Sequence, residues 1–294
     1  MTSNIWQELT KPIFTLAPMA DVTDAAFRQI IAKYSRPAGP ALFFTEFVSA
    51  DGLMHPAGRE KLLRELYFSP AEPPIIAQLF SARPTVLREA AAFVSSLGFA
   101  GIDINMGCPD RVIEHQGCGA ALMRVPALAQ ELIRAAREGA GGLPISVKTR
   151  IGYNRVELEE WTKALLEAEP AAITFHFRTR KEMSKVPARW ELAPLAVELA
   201  RGRGTLIFGN GDVKDLADAR AKATAYGLDG VMLGRAIYGH PWLFAERTPA
   251  VRERLAVLAE HAELFETLFG RTKTNERLFD GHTKSFAIMK KHFK

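Results

Sequence analysis

The chain of 294 residues has only two cysteines, Cys108 and Cys118. That leaves no disulfide scaffold and points to a reducing compartment. No histidine pair at ligand spacing accompanies them, and no Asp/Glu/His cluster at metal spacing occurs, so no metal centre is expected. No apolar run approaches the roughly 20 residues that cross a bilayer. The segment Met1 to Glu8 lacks the basic-then-apolar order of a secretory signal. A cytoplasmic protein with no membrane partner is the expectation. No G-x-G-x-x-G opens a βα unit, which argues against a resident dinucleotide of Rossmann type. Charge of one sign is in small excess, net +5, which permits a polyanionic partner without requiring one.

What is present is a regular series of short apolar, β-branched runs. Ile13–Pro18, Leu42–Glu46, Ile75–Leu79, Ile102–Asn105, Ile145–Thr149, Ile173–His176, Leu206–Phe208 and Gly230–Leu233 read as eight strands. Helix-patterned stretches separate them, among them Thr85–Leu97, Pro126–Glu138, Val156–Glu167, Leu192–Arg201 and Asp215–Tyr226. Asp24 and Asp215 mark helix starts, Gly98 and Gly227 helix stops. Eight βα units in series predict a (β/α)8 TIM barrel over residues 1–245. Beyond it the pattern turns helical without strands, clearest at Val251–Phe269. Residues 246–294 therefore read as a small helical appendage, one that stops at Lys290 to Lys294 as if cut short.

Active sites on this fold lie at the C-terminal strand ends, so polar side chains should collect there. They do: Met19-Ala20-Asp21, Thr45-Glu46, Gln78, Asn105 with Cys108, Lys148 with Arg150, His176 with Arg178, Asn210-Gly211-Asp212 and Gly234-Arg235 follow the eight strands in turn. The glycines after the last two strands let backbone amides approach an anion, and Arg235 adds a charged fork, which is the chemistry of a phosphate site. Lys148 suits an electron-rich ring, and Gln78 can bond both edges of a flat heterocycle. Together they fit a flavin mononucleotide better than a metal.

Cys108 occupies the first turn past the fourth strand, between Gly107 and Pro109, which end the strand. A thiol presented at a strand mouth is better placed for chemistry than for packing. With an ordinary pKa near 8.5 it is mostly protonated at neutral pH, which suits a proton donor, provided that the nearby lysine and arginine do not lower that value. Cys118, between two glycines, reads as a small turn residue. Arg178, Arg180, Lys181 and Lys185, and the acid-free tail with Lys284, Lys290, Lys291 and Lys294, form two basic clusters that suit backbone contacts to a polyanion such as RNA.

Leu16-Ala17-Pro18-Met19, Thr45-Glu46, Asp103-Ile104-Asn105-Met106-Gly107-Cys108-Pro109, Gly119-Ala120-Ala121-Leu122, Val147-Lys148-Thr149-Arg150, His176-Phe177-Arg178-Thr179-Arg180, Gly209-Asn210-Gly211-Asp212 and Gly234-Arg235 resemble the tRNA-dihydrouridine synthases, in order from about Ile13 to Phe244. The resemblance implies FMN-dependent reduction of the C5–C6 double bond of selected uridines in tRNA, with NADPH as reductant. It implies that Pro18, Met19, Ala20, Gln78, Lys148, His176, Asn210, Gly211, Asp212, Gly234 and Arg235 contact FMN. Cys108 would be the proton donor, and Asn105 with Arg150 would hold the uracil. Two departures stand out: Phe177 where the family commonly has glycine, and an altered loop from Lys181 to Arg189. The expectation is a monomeric oxidoreductase. An FMN barrel acting on a free pyrimidine or small enone would not need the basic tail, and a non-catalytic flavin-containing RNA-binding protein would not need Cys108, Lys148 and Asn105 together.

Overall fold

A computed structural model describes residues 4–36, 39–72 and 74–293. Among these residues nine parallel strands surround one axis: β1 (Ile13–Leu16), β2 (Phe43–Phe44), β3 (Val48–Ser49), β4 (Ile75–Phe80), β5 (Gly101–Met106), β6 (Ile145–Arg150), β7 (Ala172–His176), β8 (Leu206–Asn210) and β9 (Gly230–Leu233). Their order is β1-β9-β8-β7-β6-β5-β4-β2, with β3 also on β4, and a bridge from Thr15 to Leu42 brings the ends together. This is the expected barrel, with the second strand in two pieces. The Gln78 amide donates to the side-chain oxygen of Thr45 at 3.0 Å, where a continuous ladder would offer a carbonyl. Pairing resumes only where Val48 meets Leu79.

Alternation along each strand sorts the side chains. Ile102, Ile104 and Met106 of β5 pack outward under the helices, as do Val147 of β6 and Ile173 and Phe175 of β7. Asp103 and Asn105 alternate with them and therefore face the axis. The lower half of the interior is apolar: Ile13, Phe44, Ile76, Phe208 and Met232 cluster with Trp6, which is 2% exposed and lies edge-on to Phe208 at 5.2 Å. Polar side chains are thereby confined to the upper half, where the strands end.

The helices follow the sequence pattern within two residues where it was strong: Pro84–Ser95, Pro126–Gly139, Leu158–Leu166, Ala193–Ala200 and Leu216–Tyr226. Asp24 and Asp215 cap as expected, accepting from the Phe27 amide at 3.0 Å and the Asp218 amide at 2.7 Å. Gly98 and Gly227 take the left-handed turns, at φ +88° and +66°. Ala50–Met54 and Pro56–Leu66, between β3 and β4, have too weak an apolar stripe to be read from sequence. The C-terminal region folds as Val251–Phe269, Lys273–Phe279 and a 3-10 turn Phe286–Lys291, and its Phe265, Phe269 and Met289 pack on Ala25 and Ala26. No helix among the described residues is long and apolar enough to cross a membrane.

Trp6 closes the barrel floor, so Trp6→Ala should lower unfolding stability by about 3–5 kcal/mol, measured by urea denaturation, the usual cost of emptying a large aromatic site.

Candidate active site

The strand ends open on a cavity of about 590 Å3, walled by Pro18, Met19, His176, Asn210, Asp212 and Arg235, with Lys148, Gly211 and Gly234 also on its surface. A deeper recess of about 130 Å3 adjoins it, lined by Phe47, Gln78, Asn105, Cys108, Lys148 and Arg150. Of the residues expected to contact a cofactor, Ala20 alone lines neither. It is exposed, and its carbonyl accepts from Lys291 at 3.3 Å.

One end of the cavity is built for an anion. Among the described residues, the backbone amides of Asp212, Gly234 and Arg235, just past the ends of β8 and β9, have no hydrogen-bond acceptor. Gly211 has φ +116°, and a Cβ there would meet His176 at 2.8 Å and Ala188 at 2.9 Å. Only glycine combines that φ with that clearance. Asp212 is clamped by Arg178, by Arg235 at 3.0 Å and by the Ala188 amide at 3.0 Å, so its carboxyl stays below the usual range, chiefly through Arg178. This orders the loop and leaves most of the Arg235 side chain, 60% exposed, facing solvent. The residues fit a phosphate.

The floor carries charge that makes no direct ion pair. Lys148 has no ion-pair or hydrogen-bond partner among the described residues, and burial, reinforced by Arg150, lowers its pKa to about 8. The Arg150 guanidinium is held by three carbonyls, Gly107 at 2.9 Å, Thr179 at 3.1 Å and Met183 at 2.9 Å, and no carboxylate. Burial and then Arg178 lower it to about 10. The same burial and cations hold His176 well below its ordinary value, so it is neutral. Arg178 Nη1 lies 3.0 Å from its Nε2, which makes that nitrogen the acceptor and Nδ1 the donor.

Cys108 is partly exposed, and burial raises its pKa although Lys148 and Arg150 pull the other way. The condition set above for a proton donor is therefore met: the thiol is protonated beside two cations. Its loop is pinned on both sides. Asn105 Oδ1 accepts from the amides of Gly107 at 3.2 Å and Cys108 at 3.0 Å, and the Cys108 carbonyl accepts from Ala120 at 2.9 Å. Asn105 Nδ2 gives one proton to Gln78, leaving one for a ligand. Cys118, read as a small turn residue, is 2% exposed and packs with Phe80 and Ile113.

Two basic residues, Arg178 and Lys284, are buried where a solvent-facing contact needs them exposed, and a third, Arg180, is paired but partly exposed. Arg178 is 2% exposed, with its nitrogens on Val186, His176 and Asp212. Arg180 pairs with Glu114 on the short helix Arg111–His115, tying the loop after β7 to the one after β5. Lys284, read as part of an RNA clamp, is a correction: its side chain is 5% exposed and lies between Glu46, at 2.6 Å, and Glu65. Lys291 pairs with Asp21 at 3.2 Å, and Lys294 lies outside the described residues. Lys181 and Lys185 are exposed. Phe177 turns away from the mouth, buried between Phe175 and Trp190, and fills the core beneath the altered loop. Phe47 was missed because the break between β2 and β3 that turns it into the mouth has no local signature.

The family model for dihydrouridine synthase matches residues 15–294. The chain belongs to the dihydrouridine synthase family. It is 42% identical over 272 residues to the probable tRNA-dihydrouridine synthase 2 of Bacillus subtilis, covering 90% of this chain and 82% of that one. A probable tRNA-dihydrouridine synthase of Staphylococcus aureus is 41% identical over 271 residues, with 90% and 81% covered. Among solved structures, a morphinone reductase variant in complex with tetrahydroNAD superposes with TM-score 0.54 at 14% identity, covering 83% of this chain and 87% of that one. Histamine dehydrogenase from Rhizobium sp. 4-9 gives TM-score 0.55 at 13% identity, covering 89% and 51%. These two share the barrel fold. The span matched by the family model includes both the barrel and the helices behind it.

The Lys284 cluster predicts a pH dependence. Burial raises Glu46 to about 7, while Lys284 restrains it. A carboxyl raised in the folded state contributes most below its unfolded value, and that contribution is lost as pH rises through about 7. Lys284→Met removes the restraint and strands the carboxylates, so near neutrality it should cost about 3–5 kcal/mol. Thermal melts from pH 5 to pH 8 should show the deficit growing with pH. A constant deficit would mean that the ion pair contributes little.

Proposed function

We propose that this protein reduces the C5–C6 double bond of selected uridines in tRNA to dihydrouridine, using FMN and NADPH. The observation that carries the reading is a protonated Cys108 beside two cations that lack carboxylate partners, at one end of a cavity whose other end offers unpaired amides and Arg235.

FMN, when bound, supplies hydride to C6 of the uracil. Gly211, Gly234 and Arg235 would hold its phosphate, and Lys148, Gln78 and His176 its ring system. Lys148 is suited to stabilise negative charge on that ring, because its own charge is already desolvated and unpaired. Hydride at C6 leaves negative charge on C5 and the C4 carbonyl. Cys108 gives the proton to C5, and the Arg150 guanidinium, with the free Asn105 amide proton, stabilises the carbonyl oxygens. Phe47 and the Cys108 loop form one wall of this recess. A uridine in folded RNA must leave its stack to reach such depth, at a cost of a few kcal/mol that phosphate contacts offset. Exposed Lys181 and Lys185 on the loop after β7 are positioned for such contacts, whereas Lys284 is not.

Denaturing the purified protein should release FMN, identified by mass. Cys108→Ala should keep the flavin and its reduction by NADPH, yet lower turnover on tRNA by roughly 10²-fold or more, the contribution of a positioned general acid. Cys118→Ala should change turnover little. Equal losses in the two variants would overturn the assignment of the acid.

A further inference from the structure

Asp103 has no part in the chemistry above, yet it is 1% exposed inside the barrel and carries a carboxylate. Gln78, Asp103 and Ser146 are register partners on β4, β5 and β6, so they form one layer directly beneath the mouth. Ser146 Oγ donates to Asp103 Oδ1 at 2.6 Å, and Gln78 Nε2 donates to Asp103 Oδ2 at 2.7 Å. Gln78 Oε1 then accepts from Asn105 Nδ2 at 3.1 Å, and Asn105 Oδ1 accepts from the Gly107 and Cys108 amides.

An amide side chain can be turned by half a revolution at almost no cost in shape, which exchanges its donor and acceptor ends. Two such amides in series leave the network undirected unless its ends are fixed. Here both ends are. Backbone amides can only donate, and an ionised carboxylate can only accept. Burial raises Asp103 to about 6, still below neutrality, so the carboxylate form prevails at pH 7 to 8.

We propose that Asp103 is a positioning residue. Its carboxylate holds Gln78 with its oxygen toward Asn105, so that Asn105, already directed by the Gly107 and Cys108 amides, keeps a partner on both sides and holds the Cys108 thiol in place in the mouth. The proposal rests on the reading of Cys108 as the proton donor, but the geometry of the thiol can be tested apart from that reading. If Asp103 is replaced by a group of similar size that accepts nothing, Gln78 is free to turn, Asn105 loses its partner, and the Gly107-Cys108 turn loosens. If the replacement still accepts, the direction survives. In Asp103→Asn the introduced carboxamide would meet Gln78 with its oxygen, while the Ser146 hydroxyl rotates to accept from its nitrogen.

The test is alkylation of the purified flavin-containing protein by iodoacetamide at pH 8, resolved to Cys108 and Cys118 by peptide mass. Asp103→Leu should change the Cys108 rate by about threefold or more, since thiol reactivity follows its surroundings. Asp103→Asn should hold the Cys108 rate near that of the parent, and Cys118 should serve as an unchanged reference in both. In turnover, Asp103→Leu should lower kcat about tenfold or more with the KM for tRNA unchanged, as misplacement of a reacting group does. Should Asp103→Leu fail to fold, Gln78→Leu cuts the next link and should alter Cys108 in the same way. A parent-like Cys108 rate in the leucine variant would overturn the proposal. So would an asparagine variant as disturbed as the leucine one, because charge and not direction would then matter. A fully active Cys108→Ala alongside the expected alkylation pattern would instead refute the proton-donor reading and leave the role of Asp103 standing.

Discussion

The site depends on positive charge buried at the barrel mouth with no carboxylate in direct contact, the nearest to Lys148 being Asp103 in the layer beneath. Lys148 and Arg150 reach the axis from alternate positions of one strand, and neither meets an acid there. Removing such charges from water costs several kcal/mol each, and an unsatisfied cation is retained only where something else repays it. The neighbouring groups respond to that field. His176 is kept neutral, the Asp212 carboxyl is held ionised between Arg178 and Arg235, and the cavity is tuned to anionic and electron-rich ligands. Cys108 escapes the field's usual effect on a thiol because its own burial outweighs it. A protonated thiol and two cations thus coexist within one recess, the combination that the proposed protonation of a carbon next to a charged carbonyl calls for.

The same rule, that buried charge must be balanced, explains the C-terminal region. Lys284 enters a pocket of carboxylates, Glu46 and Glu65 with Asp24 close by, and Glu46 in turn accepts from the Asp21 amide just past the Pro18-Met19 turn that lines the cavity. The helices after the barrel are therefore joined to a loop of the mouth by a desolvated ion pair, besides the apolar contact of Phe265 and Phe269 with Ala25 and Ala26.

Much of this was legible in the sequence because the barrel fold converts a one-dimensional pattern into a location. Polar residues at the ends of apolar runs, and glycines after the last two runs, could only gather at one rim. Asp24, Asp215, Gly98 and Gly227 carry local backbone chemistry and could be read locally. What could not be read was long-range partnership. Lys284 and Glu46 lie 238 positions apart, so a lysine in an acid-free stretch looked solvated when it was paired. Arg178 looked like its neighbours Lys181 and Lys185, and only the course of the loop turns it inward. Phe177 departs from the family's usual glycine without touching the mouth, because alternation directs it into the outer core. Asp103 was visible in the motif, but its role depends on strand register, which sets Gln78 and Ser146 on either side of it.

The central claim is reduction of a uracil ring by this barrel. The most direct measurement is the nucleoside mass profile of an unmodified tRNA transcript incubated with the purified protein and NADPH. The account predicts that a uridine gains two hydrogens, becoming dihydrouridine, and that no gain occurs without the reductant. A transcript left unchanged while the enzyme-bound flavin is reduced and reoxidised would contradict it.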